Sequence, residues 1–227
     1  MSTSSTGPVL LTVRGTTAAK SVEAARTIHN DTAGSEPGKA AARALGDLTH
    51  KVFTAAAGAG EMSGAKEGEL LFLDVWDDAA GIQQFFSNAE VQKQGGALFT
   101  SKEPNVWMPA RGGLSFHLPA QARKSEVFLG IIRGAVKSGE DAVRSFNDAT
   151  LRGQRDARRR GQLSHELYFR LDAPKDSPEL LGLDVWGSLD GMMEHYEATM
   201  GSGYGDVFAA KPAASIWQEA PGQWSEW

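Results

Sequence analysis

Residues 69–76, Glu-Leu-Leu-Phe-Leu-Asp-Val-Trp, return at 179–186 as Glu-Leu-Leu-Gly-Leu-Asp-Val-Trp, with one difference in the segment. An internal repeat of this kind constrains a fold more tightly than composition does, because each copy must form the same elements in the same order. The match extends along the chain. Val13-Arg14-Gly15 corresponds to Ile132-Arg133-Gly134, Glu23–Ile28 to Asp141–Phe146, Leu48-Thr49-His50 to Leu163-Ser164-His165, and Val106-Trp107 to Ile216-Trp217. The spacing falls from 119 to 110 along the chain and never rises, as expected if the second copy has shorter loops. Two tandem units follow, residues 8–119 and 126–227.

Each unit reads alike. Val9–Arg14 and Val127–Arg133 are aliphatic and β-branched, which predicts a strand. The next segment predicts a helix. In the second copy Ser138 is its N-cap, with Val143, Phe146 and Thr150 on one face. In the first copy the helix over 18–32 is interrupted by Gly34-Ser35-Glu36-Pro37-Gly38 and resumes through 39–45. A second strand carries Leu48, His50 and Val52 on one face, matched by Leu163, His165, Leu167 and Phe169. The Asp-Val-Trp strand has large residues at odd and even positions, so both its faces should be covered. Ile82, Phe85 and Phe86, like Met192, Met193 and Tyr196, mark a second helix before the last strand at Trp107 or Trp217. The expected fold class is α+β, with two βαββαβ units.

The chain of 227 residues has no cysteine, which removes disulfides, thiolate metal sites and thiol nucleophiles together. No apolar run approaches the roughly 18 residues of a membrane span, and the first residues lack a signal-peptide pattern. A soluble, cytoplasmic protein is expected. The formal net charge of −5 argues against a general nucleic-acid binder. The run Arg152, Arg155, Arg158, Arg159 and Arg160 occurs in one copy only, without interleaved aromatics, and reads as a solvated helix face. Gly201–Gly205 follows a helix and lacks a Lys-Ser/Thr, so it is not a phosphate loop.

Chemistry has to come from histidines and carboxylates. His50 and His165 occupy equivalent places on an apolar strand face, where an imidazole can act as a general base, bind iron axially, or simply be a satisfied buried donor. Asp74 and Asp184 share a face with Trp76 and Trp186; each carboxylate either orients the neighbouring His or pairs with Arg14 or Arg133, the ion pair being the favoured reading. The two indoles are pocket walls or core. Asn30 and Asn147 recur in the first helix, where a short amide commonly caps or ends it. His29 has no His counterpart. Two differences between the copies, Phe72 against Gly182 and Phe85 against His195, predict a roomier and more polar second unit. Its largest enclosed pocket should be lined by Trp186 and by His165 or His195. No residue spacing suits a metal.

A βαββαβ unit with Gly46 four before His50, Gly161 four before His165, a Trp closing the third strand and His195 nine residues after Trp186 resembles the antibiotic-biosynthesis monooxygenase group of the dimeric α+β barrel (ferredoxin-like) superfamily. The resemblance implies an intramolecular pseudo-dimer, in which one chain supplies both halves of a barrel and higher homo-oligomers remain open. It implies a cofactor-independent oxidoreductase acting on a small aromatic or polyketide-like molecule. His165, Asp184, Trp186 and His195 would then be the catalytic group, with Asn147, Gly182, Tyr196, His50 and Trp76 around the substrate. The alternatives are a non-redox isomerase or cyclase, and a non-catalytic barrel that binds a small ligand or haem.

Overall fold

The structure, a computed structural model, describes residues 7–117, 127–199 and 207–227. The glycine-rich run 201–205 and the expected unit boundaries at 119 and 126 lie outside the described residues. The chain divides into two compact units. The first holds the described residues through Ala55, Lys66–Met108 and Glu219–Trp227; the second holds Ala56–Ala65 and the described residues of Pro109–Gln218. The last segment, which the repeat places in the second copy, therefore packs with the first unit.

Unit 1 runs β1 (Val9–Thr17), α1 (Val22–Asp31), α2 (Glu36–Ala44), β2 (Asp47–Ala55), β3 (Glu69–Trp76), α3 (Ala79–Ser87), α4 (Ala89–Leu98) and β4 (Phe99–Pro109). Its strands lie in the order β4-β1-β3-β2, with β1 and β2 antiparallel to β3 and β4 antiparallel to β1. The helix starts are those the sequence marks. The Ser21 and Ser35 hydroxyls accept from the Ala24 and Gly38 amides, satisfying N–H groups that a first turn leaves unpaired, and Pro37 sits in the first turn of α2.

Unit 2 comprises β5 (Phe116–His117), β6 (Phe128–Ala135), α5 (Gly139–Arg159), β7 (Gln162–Arg170), β8 (Glu179–Trp186), α6 (Leu189–Thr199) and β9 (Ala213–Glu219), with strand order β9-β6-β8-β7-β5. Ser138 caps α5 as expected. One unbroken helix replaces the α1–α2 pair because residues 150–159, with Gly153 among Leu, Arg, Gln and Ala, have no proline and no Gly-Ser-Glu-Pro-Gly break.

Registers coincide between the units. Val9 faces Trp76 as Phe128 faces Trp186, and His50 faces Asp74 as His165 faces Asp184. Gly46 and Gly161 enter the His-bearing strands at φ of +97° and +105°, a conformation that disfavours any side chain. Each of these strands then slips by one residue, between Asp47 and Thr49 and between Gln162 and Ser164. The slip turns Leu48 outward, 49% exposed, so it does not share the buried face of His50 as expected. Both faces of the central strands are covered: adjacent Leu70 and Leu71 are buried, as are Leu180 and Leu181.

The unit 1 core gathers Val9, Leu11, Phe72 and Trp76 from the strands with Ala25, Ala42 and Ile82 from the helices. Unit 2 has two clusters, one around Val143, Phe146, Leu167 and Phe208, the other around Trp186, Met192 and Ile216.

Candidate functional site

In both units the strand imidazole is tied to the facing carboxylate. His50 Nδ1 lies 2.6 Å from Asp74 Oδ1, and His165 Nδ1 lies 2.7 Å from Asp184 Oδ1. The favoured Arg–Asp pairing does not form. Arg14 pairs with Glu69 at 2.6 Å and Arg133 with Glu179 at 3.4 Å, because these arginines sit opposite the other end of the third strand. The carboxylates are thus left for the imidazoles.

The second ring nitrogen distinguishes the two sites. In unit 1, His50 Nε2 is 2.9 Å from Nε2 of His29, which is fully buried on α1. His29 Nδ1 is 3.0 Å from Asn30 Oδ1. That oxygen also accepts from the Ser225 amide at 2.9 Å, while Asn30 Nδ2 donates to the Gln223 carbonyl at 2.9 Å, so the orientation of the amide is fixed. His29 must donate through Nδ1. With a neutral His29 its Nε2 can only accept, so His50 donates through Nε2 and, through Nδ1, to Asp74. His50 is therefore an imidazolium paired with a carboxylate.

The electrostatics agree. His29 is lowered to about 4, first by burial and then by the neighbouring His50 charge. Burial also disfavours charged His50, but the charge and hydrogen bond of Asp74, with Asp47 and Glu226 nearby, outweigh it and raise its pKa. Phe72 packs edge-on to both imidazoles, Trp227 stacks on His50 at 4.7 Å, and Trp224 lies 5.3 Å from His29. Unit 1 is filled.

In unit 2 the equivalent nitrogen, His165 Nε2, is 3.2 Å from the Thr150 hydroxyl on α5. A hydroxyl both donates and accepts, so this nitrogen is not committed to holding a proton. Asp184 is held by two further donors: Gln162 Nε2 at 2.9 Å and the Tyr196 hydroxyl at 2.8 Å. Tyr196 reaches the carboxylate because the residue facing Asp184 across the sheet is Gly130, where unit 1 has Leu11 facing Asp74. A Cβ at Gly130 would collide with the Tyr196 hydroxyl. Gly130→Ala is accordingly expected to destabilise the fold by about 1–3 kcal/mol by overpacking, readable as a lower urea midpoint, and an unchanged midpoint would contradict this packing.

Of the expected catalytic group, His165 and Asp184 share one hydrogen-bonded network, which Tyr196, expected around the substrate, joins. Trp186 is fully buried and packs on His195 and Tyr196 at 5.4 and 5.7 Å. His195 turns its Nδ1 towards Asp156, 3.6 Å away, and has no contact with His165 among those described. Trp76 is buried against Phe85. Asn147 caps nothing: its Oδ1 accepts from the Leu114 amide at 2.7 Å and its Nδ2 donates to the Gly112 carbonyl at 2.8 Å, as Asn30 does with 223–225.

Gly182 does not open space. A Cβ there would meet Ile132 at 3.0 Å and Leu167 and Phe146 at 3.7 Å. With the two clasping Asn residues matched, Phe146 stands where unit 1 has His29, while Ile132 and Leu167 stand where it has Val13 and Val52. The ring lost from the strand is returned by the helix, and each flanking Val has gained a methylene. A concavity does lie in unit 2, an open groove of about 480 Å³ with Arg111, Leu114, Val143, Asn147 and Leu151 in its walls, but Trp186, His165 and His195 do not line it.

Four residues of these networks carry no obvious repeat signal: His29, Thr150, Asp47 and Gln162. The last two are equivalent at the spacing of 115, so a comparison at that spacing would have paired them. Among the described residues no group of three His, Asp or Glu side chains is placed to hold a metal, and no helix is long and apolar enough to cross a membrane. An axial haem ligand needs a ring nitrogen facing open space, whereas His50 and His165 have both nitrogens engaged by protein partners. As they stand, His50 and His165 do not fit haem.

No protein-family model matches the sequence, and no curated protein does. Solved structures do resemble it. A candidate monooxygenase from Fusobacterium nucleatum superposes with a TM-score of 0.58 at 12% identity, covering 97% of each chain. An anthrone oxidase-like protein gives 0.60 at 15%, covering 96% of this chain and 93% of its own. A chlorite dismutase from Candidatus Nitrospira defluvii gives 0.59 at 11%, covering 95% and 92%. The likeness is one of fold. Fold alone does not fix a reaction, so the chemistry must be argued from the residues.

Proposed function

We propose that the chain is a tandem fusion of two ferredoxin-like units in which unit 2 works as a cofactor-independent oxidoreductase of the monooxygenase type, on a small electron-rich aromatic molecule. The fusion is supported by the shared strand order, the shared His–Asp register and the twice-made Asn clasp. The observation that carries the chemistry is the contrast at Nε2. In unit 1 a backbone amide dictates that His50 donates, whereas His165 faces a hydroxyl that accepts either role. An imidazole oriented by a carboxylate through Nδ1, with Nε2 free to take a proton, is what general-base catalysis needs.

The reaction is written for anthrone, the substrate class suggested by one structural neighbour. His165 Nε2 removes a proton from the acidic methylene. The carbanion is oxidised by O₂, forming a C–O bond; O–O cleavage then releases water and leaves the carbonyl of anthraquinone. Anthrone plus O₂ gives anthraquinone plus H₂O, with the methylene carbon oxidised and dioxygen reduced. Asp184, held by Gln162 and Tyr196, keeps the imidazole in place and stabilises its positive charge once the proton has moved.

Oxygen consumption and quinone absorbance measured together provide the test. The purified protein is expected to consume one O₂ per anthraquinone formed, well above the spontaneous rate. Proton exchange at the methylene without O₂ uptake would favour an isomerase-type reaction, and neither signal would leave the non-catalytic reading standing.

A further inference from the structure

One ring in unit 2 sits where a ligand would. Phe116 lies on the short strand β5, which among the described residues pairs with β7 through Phe116–His165 and His117–Ser164. Its ring is stacked on the His165 imidazole at 6.3 Å and 28°, and the Arg158 guanidinium lies 4.5 Å from the ring centroid on α5. A position within reach of both an imidazole and a guanidinium is a favourable seat for an electron-rich aromatic ring. The segment that delivers it, residues 111–117, is only half-buried or exposed throughout. Apart from β5 it is held by the two hydrogen bonds of Asn147, by His117 against Glu166 at 2.7 Å, and by the Ala110 and Gly113 amides at its start. The groove runs along this segment, with Arg111 and Leu114 on one wall and Val143 and Leu151 of α5 on the other.

Unit 1 shows the same arrangement made permanent. There Trp227 is the ring on the imidazole, exchanging two backbone hydrogen bonds with His50. Glu226 accepts from the Val52 amide and pairs with Lys51, Arg26 holds the Pro221 carbonyl, and Trp224 is buried in the core. The unit 2 segment has no equivalent of the buried indole, and it is the weaker closure of the two.

We propose that the seat of the Phe116 ring is a binding site for a planar aromatic molecule, and that residues 111–117 are a strap that vacates it, latched by Asn147. The proposal rests on the reading of unit 2 as the working half and names the class of ring it takes, yet it concerns binding and is tested without turnover. With Phe116 seated the site is blocked, so the apparent affinity equals the intrinsic affinity scaled by the fraction of molecules with the strap open. Loosening the latch raises that fraction, and amide hydrogen exchange in the strap reports it directly.

The probe is 1-naphthol, with binding followed by calorimetry and strap opening by hydrogen exchange at 112–117. In Asn147→Ala, exchange there should quicken at least tenfold and the dissociation constant of 1-naphthol should fall by the same factor. Phe116→Ala, which empties the seat without touching the latch, should also bind more tightly. Asn30→Ala, in the other unit, should leave the affinity unchanged. Saturating 1-naphthol should speed strap exchange in the unaltered protein. Faster exchange without tighter binding, or unchanged affinity in Phe116→Ala, overturns the proposal. Ring binding in a protein that never consumes O₂ with anthrone sinks the oxidoreductase reading alone.

Discussion

Replacing His165 by Ala is expected to lower the rate of quinone formation by about 10²-fold or more while the protein stays folded, the loss typical of removing a positioned general base. The fold should survive because Asp184, stripped of the imidazole, keeps its bonds from Gln162 and Tyr196. The contrasting variant is His50→Ala. It leaves His29 and the buried Asp74 without their shared partner and should cost about 3–5 kcal/mol of stability, with less than tenfold effect on turnover by the folded protein. Rates normalised to the folded fraction by circular dichroism separate the two. Equal losses of turnover in both variants, or none in His165→Ala, would remove unit 2's imidazole from the mechanism.

Asp47→Asn should stabilise the protein at pH 8 by about 2–4 kcal/mol. Asp47 is buried, its Oδ1 has no partner, and burial, then the charge of Asp74, raise its pKa to about 7 from 3.8. Between those values the folded state holds a proton that the unfolded state has released, so this residue's contribution is intact below pH 3.8 and is lost as pH climbs through 7. His29 acts oppositely. Lowered from 6.5 to about 4, it makes stability fall as pH drops below 6.5, since the unfolded chain binds the proton first. From about pH 4 to 6.5 the two slopes oppose each other, Asp47 adds further loss only up to about pH 7, and the decline beyond that belongs to His50 with its raised pKa. The Asp47→Asn variant would present an amide as Gln162 does to Asp184, remove the loss this residue causes between about pH 4 and 7, and expose the acidic slope of His29. Urea midpoints measured from acid to alkaline pH give the answer; profiles of identical shape between about pH 4 and 7 in both proteins would show that Asp47 does not carry this charge.

The parts of this arrangement legible in the sequence were those on strands. Period-2 alternation and a falling spacing were enough to align His50 with His165 and Asp74 with Asp184, because strand register is shared by both copies. What lies opposite them was hidden. The partner of His50 comes from α1 and that of His165 from the next turn of α5, so no common spacing links His29 to Thr150. The ring-bearing segments at 112–117 and 222–227 are too short and too rich in Gly, Ser and Trp to show strand periodicity, and their return onto the imidazoles is a tertiary event. The pairing of Asp74 with Arg14 was misjudged for a similar reason: composition says a buried carboxylate needs a partner, while only the register says which one is in reach. Gly182 was read as a vacancy because one position was compared at a time, without its neighbours.

The packing around Gly182 and Phe72 ties four positions of each unit together. Phe72, His29, Val13 and Val52 in one copy and Gly182, Phe146, Ile132 and Leu167 in the other fill one volume in two ways. Grafting a single residue from either copy into its sibling produces a clash or a hole, and such effects between touching side chains are not additive. The four positions behave as one inherited character. A chimera that exchanges them together should retain a packed interior.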